Sequence, residues 1–311
     1  MKRILAFLSL LISVSIFCLW MITTPETLPT EDTDWQIYKR KKFMKFLSFK
    51  RDYFSNNHVP LSKTKIDIVF LCIEKDIPTI RYAIDAAKGL VMHPIVKIYL
   101  VCPESEKLRA IAKEKGCEFV EELKVIPTLA RGNELPGYLK QQFIKLNADK
   151  ITTADYYLVI DADTILLQTQ IFLRDGKAVF NAFNGYVLGR KHMVESVLKL
   201  GKYYNLDFTS HHMFFDKSKL RAMKDRLEEL HGKPWQDVLN NPDIPGPTFS
   251  EYEMYANFVL TFFPNEATIV HGRNSWMPAD RIDGITWQRG FLSKRYKSLS
   301  FHHFMKTDNY C

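Results

Sequence analysis

Residues 157–167, YLVIDADTILL, set two carboxylates one residue apart behind an apolar run. Tyr157 to Ile160 has the composition of a buried strand, and Asp161 and Asp163 follow at its C-terminal end. Acids placed there suit a hard divalent cation, Mg²⁺ or Mn²⁺, which takes oxygen ligands and keeps positions open for substrate phosphates. The bland alternative is a polar strand-to-loop turn with solvated acids. The apolar strand that delivers both carboxylates favours the metal reading.

The upstream elements must position this pair. Ile66 to Ile73 is a nearly continuous apolar run, as expected of a strand buried on both faces. Residues 77–90 carry apolar positions at helical spacing. Residues 95–102 read as a second strand, and 104–115 as a helix stopped by Gly116. Residues 118–126 read as a weaker third strand, 138–148 as a helix, and 156–160 as the strand that bears the aspartates. This alternation predicts an open, mostly parallel sheet, and such sheets bind ligands beyond their strand C-termini. After residue 170 the pattern changes to short strands (178–183, 212–215, 268–270 and 299–304) mixed with helices and aromatic loops. That half is expected to complete a second side of the same domain.

Residues 4–22 hold no charge, after Lys2 and Arg3 and before Glu26, Glu31, Asp32 and Asp34. The length suits a membrane-spanning helix. The charge asymmetry predicts a cytoplasmic tip (1–3), a signal-anchor (4–22), a stem (23–62) and a catalytic domain (63–311) across the membrane. A cleaved signal peptide is the competing reading, but TTPETLP has no small-x-small cleavage site. The net charge of +8 forms no dense basic stripe, which disfavours nucleic acid and suits a polyanionic small molecule. The five cysteines show no metal-ligand spacing and read as buried thiols or, for Cys311, the last residue.

Taken together, IDIVFLCIEKD, GYLKQQFIKL, YLVIDADT, SHHMFFD, FSEYEMYANF and SFHHF, spread over residues 64–306, resemble the GT-A glycosyltransferases, and among them a sparsely characterised GT-A-like group. The resemblance implies an α/β, Rossmann-like GT-A fold with a mostly parallel sheet and a mixed C-terminal acceptor half. It implies that Mn²⁺ or Mg²⁺ on the Asp-x-Asp motif bridges the donor's two phosphates. Asp163 is then a direct ligand, and Asp161 serves the metal or the donor ribose. A third ligand is expected late in the chain, from His271, His302 or His303. Strand alternation sends His302 and His303 to opposite faces, and His302 is the favoured one. Glu74 and Asp76 follow the first strand, where the loop would read base and ribose. Lys145 would pair with a phosphate. Glu251 would act as general base, with His211, His212 and Glu253 on the acceptor side. Each has a plainer reading: a solvated loop for Glu74 and Asp76, an exposed helix face for Lys145, a helix N-terminal acid for Glu251, and packing for the histidines.

The expected activity is sugar transfer from a nucleoside-diphosphate donor, a UDP-sugar by resemblance, to a hydroxyl on a glycan, lipid or protein. A eukaryotic source would place the domain in the Golgi lumen. Three alternatives remain open. A haloacid-dehalogenase-like phosphatase also ends a strand in Asp-x-Asp, but on its first strand. A nucleotidyltransferase shares the metal and nucleotide logic. A membrane-tethered sugar-binding protein without activity would need neither acid.

Overall fold

The computed structural model describes residues 59–126, 135–183, 188–200, 206–240 and 249–303, all within one compact unit, Asn56–Cys311. The expected tip, the anchor over 4–22 and nearly all of the stem lie outside the described residues. Among the described residues no helix is long and apolar enough to cross a membrane.

The first half alternates as its sequence predicts: β1 (Ile66–Leu71), α1 (Ile77–Leu90), β2 (Ile95–Cys102), α2 (Glu106–Glu114), β3 (Glu118–Glu121), α3 (Glu122–Val125), α4 (Gly137–Asn147) and β4 (Tyr156–Asp161). Ser105 caps α2 by accepting the Leu108 N–H, and Gly116 just beyond takes the left-handed backbone (φ 60°) that ends many helices. The strand expected over 118–126 stops at Glu121. Its last partner is Cys102, the end of β2, so no ladder remains to hold the chain extended, and residues 122–125 coil into a helical turn.

The second half contains β5 (Thr164–Leu166), β6 (Leu173–Arg174), β7 (Lys177–Ala182), α5 (Leu188–Leu198), β8 (His212–Asp216), α6 (Lys217–His231) and α7 (Trp235–Leu239). It continues with α8 (Glu251–Phe262), β9 (Ala267–His271), β10 (Asn274–Pro278), α9 (Ile285–Leu292) and β11 (Ser298–His302). The main sheet has the order β3-β2-β1-β4-β8. Its first four strands run parallel and β8 antiparallel. The chain moves outward from β1 to β2 and β3, then returns to place β4 on the other side of β1. That reversal opens a crevice at the C-terminal ends of β1 and β4. A second sheet, β10-β11-β5, starts two residues after β4, and a third has the order β6-β7-β9. This is a Rossmann-like α/β architecture with a mixed second half.

Two buried polar residues tie the strands together. Asp67, fully buried near the start of β1, accepts the Lys97 N–H at 3.0 Å through Oδ1, and the Thr153 and Ala154 N–H groups at 2.5 and 2.9 Å through Oδ2. It thereby holds the turn that leads into β4. Buried His93 lies 3.2 Å from the Thr64 carbonyl through Nδ1, while Nε2 accepts the Phe172 N–H at 2.9 Å. That pattern requires a neutral ring with its proton on Nδ1. Burial pushes the His93 pKa below its ordinary 6.5, only partly countered by the Thr64 carbonyl. Because the folded pKa is depressed, this contribution is complete above about pH 6.5 and is lost as pH falls through the lower folded value. Urea unfolding between pH 7.5 and 5 should therefore show falling stability, by at most about 1.4 kcal/mol per pH unit from this residue. The slope should be shallower in His93→Asn, and an unchanged slope would remove His93 from the account.

Candidate metal centre and cleft

Asp161 is the last residue of β4, opposite Leu71 of β1, and Asp163 stands immediately before β5. The chain leaves one sheet and enters the next between them, so the two carboxylates meet different elements. Asp161 reaches α4 and α8, and Asp163 reaches β11.

Around Asp161 the charges are close and largely buried. Lys145 Nζ on α4 lies 2.7 Å from Asp161 Oδ1 and 2.9 Å from Glu251 Oε1 on α8. Lys145 is 5% exposed and Glu251 1%. The Tyr252 hydroxyl donates to Asp161 Oδ1 at 3.1 Å, and the Lys145 ammonium sits 4.5 Å from the centre of the Tyr252 ring. The Gln142 side-chain oxygen accepts the Glu251 N–H at 3.3 Å. α8 is buried on every side from Glu251 to Leu260, so its acids need partners. Ser250 caps the helix by accepting the Glu253 N–H.

The ionisation pattern follows from this packing. Burial works against the Asp161 charge, but Lys145 and His211 outweigh it and hold the carboxyl well below the usual range. Burial also works against the Lys145 charge, and the two carboxylates outweigh it, so the ammonium persists well above its ordinary 10.5. For Glu251 burial wins over the pull of Lys145, and its carboxyl pKa rises above 4.5.

His211 precedes β8 with a left-handed backbone (φ 60°), an uncommon state for a residue with a side chain. Its carbonyl accepts the Asp161 N–H at 2.9 Å, and its Nδ1 lies 3.3 Å from Asp161 Oδ2. One ligand atom each from Asp161, Asp163 and His211 falls within 4.8 Å of the others. Two carboxylate oxygens and an imidazole nitrogen form a donor set that a divalent cation can use. His302, at the end of β11, brings a second imidazole: its Nδ1 is 3.2 Å from Asp163 Oδ2, and its ring centre is 5.2 Å from that of His211.

The remaining sequence candidates separate into two groups. Asp76 is near the cluster: its Oδ1 lies 3.7 Å from His303 Nε2, and burial, with a smaller push from Asp163, raises its carboxyl pKa. Glu74 instead faces outward, paired with Lys107 and Ser105. His212 points into the core, 3.0 Å from the Asn181 amide nitrogen and edge-on to Phe172, with burial lowering its pKa to about 4. Glu253 is also internal, accepting the Phe208 N–H at 2.8 Å and bonding Asn257. Sequence reasoning gave no role to Tyr252 and placed His211 with the acceptor. Their nearness to Asp161 depends on the β4–β8 pairing and on how α8 docks. A separate cavity of 450 Å³, lined by Lys63, Lys65, Thr153 and Asp155 among others, lies by the opposite ends of the strands, away from these acids.

The fold and cluster define an α/β protein with a candidate divalent-cation centre at a sheet switch point. Residues 90–271 match the family of unknown function DUF6492, and the chain belongs to that family. No curated protein matches it by sequence. The solved structures that align with it include glycosyltransferases. The galactosyltransferase LgtC, solved with donor and acceptor sugar analogues, is 15% identical over 78% of this chain and 88% of that one (TM-score 0.40). Mouse xyloside xylosyltransferase 1 is 11% identical over 77% and 98% (TM-score 0.44). Glucosyl-3-phosphoglycerate synthase from Mycobacterium tuberculosis, solved with Mn²⁺, UDP and glucosyl-3-phosphoglycerate, is 14% identical over 86% of both (TM-score 0.35).

Proposed function

We propose that the protein is a metal-dependent glycosyltransferase of GT-A type that moves a sugar from a nucleoside-diphosphate donor, a UDP-sugar first among them, to a hydroxyl group. The observation that carries this reading is the Asp161, Asp163 and His211 cluster, gathered within 4.8 Å at the crevice between β1 and β4. Asp161, Asp163 and His211 would hold Mn²⁺ or Mg²⁺, with His302 in reach of the same acid. When bound, the ion supplies positive charge against the departing diphosphate.

The chain's own groups have separate tasks. The loop after β1, with Asp76, borders the space for ribose and base. Lys145 fixes Asp161 and Glu251 relative to one another. In the reaction the acceptor oxygen bonds to the donor's anomeric carbon as the bond from that carbon to the phosphate oxygen breaks. The diphosphate leaves with the bonding electrons, and Glu251 takes the acceptor's hydroxyl proton. A carboxyl pKa raised by burial strengthens it as a base. We also propose that residues 4–22 anchor the protein as a single-pass type II membrane protein, in the Golgi membrane of a eukaryotic cell. The support is the uncharged run behind Lys2 and Arg3.

The test is calorimetric titration of the full chain in detergent with UDP, GDP and CMP, each with Mn²⁺ and with EDTA. Binding of one nucleotide that requires the metal is expected. Absence of binding to all three by folded protein would overturn the transferase reading and bring the phosphatase and sugar-binding alternatives forward. Once a donor is known, Glu251→Gln should lower turnover by about two orders of magnitude or more. Unchanged turnover would take Glu251 out of the proton transfer.

A further inference from the structure

The second sheet carries a feature that the proposed chemistry does not use. Trp276 lies in β10, the edge strand of the order β10-β11-β5, and is 62% exposed. Exposure alone marks no site, since single apolar side chains in water are ordinary and Phe291 is more open still at 78%; a role for Trp276 needs a second observation. Its position supplies one. In the parallel pairing of β10 with β11, Trp276 stands opposite Ser300 and Pro278 opposite His302. Strand alternation places Asn274, Trp276, Ser300 and His302 on one face; Ser300 is fully buried there, and Trp276 stands open at the sheet's edge.

The exposed indole is next to the cluster rather than remote from it. Its ring centre lies 6.4 Å from that of His302, whose ring lies 5.2 Å from His211. The line Trp276, His302, His211, Asp161, Lys145, Glu251 therefore runs from the cleft's solvent edge to its buried end. Beneath the indole the strand is rigidly held: Asn274 donates to Ser300 Oγ at 3.1 Å, Ser298 Oγ donates to Asn274 Oδ1 at 2.9 Å, and Ser300 Oγ lies 2.8 Å from Thr164 Oγ1. Among the described residues the indole N–H has no hydrogen-bond partner. The site thus presents an open aromatic face on a well-held strand, with a free donor on its rim and imidazoles beside it.

We infer that Trp276 is an acceptor platform, and that the acceptor is a glycan of at least two sugar rings. This rests on the transferase reading. A pyranose has one face rich in C–H bonds and a hydroxyl rim, which matches an aromatic face flanked by polar groups. The reacting hydroxyl reaches inward toward Glu251 while a ring further along the glycan lies on the indole. Binding energy gained at that distance from the reacting atoms helps to orient them. A protein or lipid hydroxyl without sugar rings would leave the indole in water.

Saturation-transfer NMR on the full chain in detergent, with diamagnetic Mg²⁺ and UDP, tests this with methyl β-lactoside, methyl β-cellobioside, methyl β-xylobioside and N,N′-diacetylchitobiose. All four expose a C–H-rich ring face. At least one should receive saturation on the protons of one ring. Trp276→Ala should weaken its affinity about tenfold, and Trp276→Phe should retain most of it. The melting temperature should not change, because so exposed a side chain adds little to the core. The platform is overturned if Trp276→Ala binds the glycan as wild type does. It is also overturned if wild-type protein binds nucleotide with metal but none of the four glycans. Glycan binding that depends on Trp276, in a protein that binds no nucleotide, would keep the platform and reject the transferase.

Discussion

Replacing Asp163 with alanine is expected to abolish metal-dependent nucleotide binding while leaving the protein folded. The Asp163 side chain is 23% exposed, and it accepts from Thr164 Oγ1 and lies by His302. Its loss leaves no buried charge unpaired, so the melting temperature should hold within the ordinary range for a surface change. The functional loss should be large. A metal that offsets charge on a leaving diphosphate contributes several kcal/mol, so turnover should fall by roughly 10²–10³-fold. Asp161→Ala provides the contrast. It too removes a candidate ligand, but it also strips Lys145 of its 2.7 Å partner. That variant should lose stability as well as binding. Calorimetric titration with Mn²⁺ and nucleotide, set beside thermal melts of both variants, checks the pair. Full metal-dependent binding by Asp163→Ala would reject the metal centre.

Lys145→Met is expected to cause the largest stability loss of any single change near the cleft. One ammonium, 5% exposed, is the shared counter-charge of two carboxylates at 2.7 and 2.9 Å. Removing one partner of a buried pair leaves uncompensated charge and costs about 3–5 kcal/mol. In a domain of this size that lowers the melting temperature by about 6–20 °C. The double variant Lys145→Met with Glu251→Gln should be more stable than Lys145→Met alone, because one of the stranded charges is gone. Such non-additivity is the signature of residues in one network. Additive losses would mean that Lys145 and Glu251 do not act together, against the geometry.

Much of the first half was legible in the sequence. The run Ile66 to Ile73, the helix stopped by Gly116 and the strand before Asp161 fall where their patterns place them, because buried parallel strands and amphipathic helices carry their periodicity locally. The third strand was overextended, since its end depends on where β2 runs out. β5, β6 and β10 were missed: all are short, and β5 and β10 are held by ladder partners far along the chain, Ser298–Ser300 for β5 and Ser298–His302 for β10.

The order of the first elements and the two carboxylates behind a buried strand can be read from the residues alone, whereas the strand order β3-β2-β1-β4 that opens the crevice cannot. Which side chains meet those carboxylates is set by packing. FSEYEMYANF carries two acids two positions apart, which a helix turns to different sides, and nothing local says which side meets the cluster. The docking of α8 turns Glu251 toward Lys145 and seals Glu253 against Phe208. Likewise, neighbouring His211 and His212 have opposite fates: one lies beside Asp161 and the other is buried by Asn181. The physical reason is range. Periodicity reports burial along one element, whereas a charge cluster is assembled from residues more than 100 positions apart, and only packing brings those into contact.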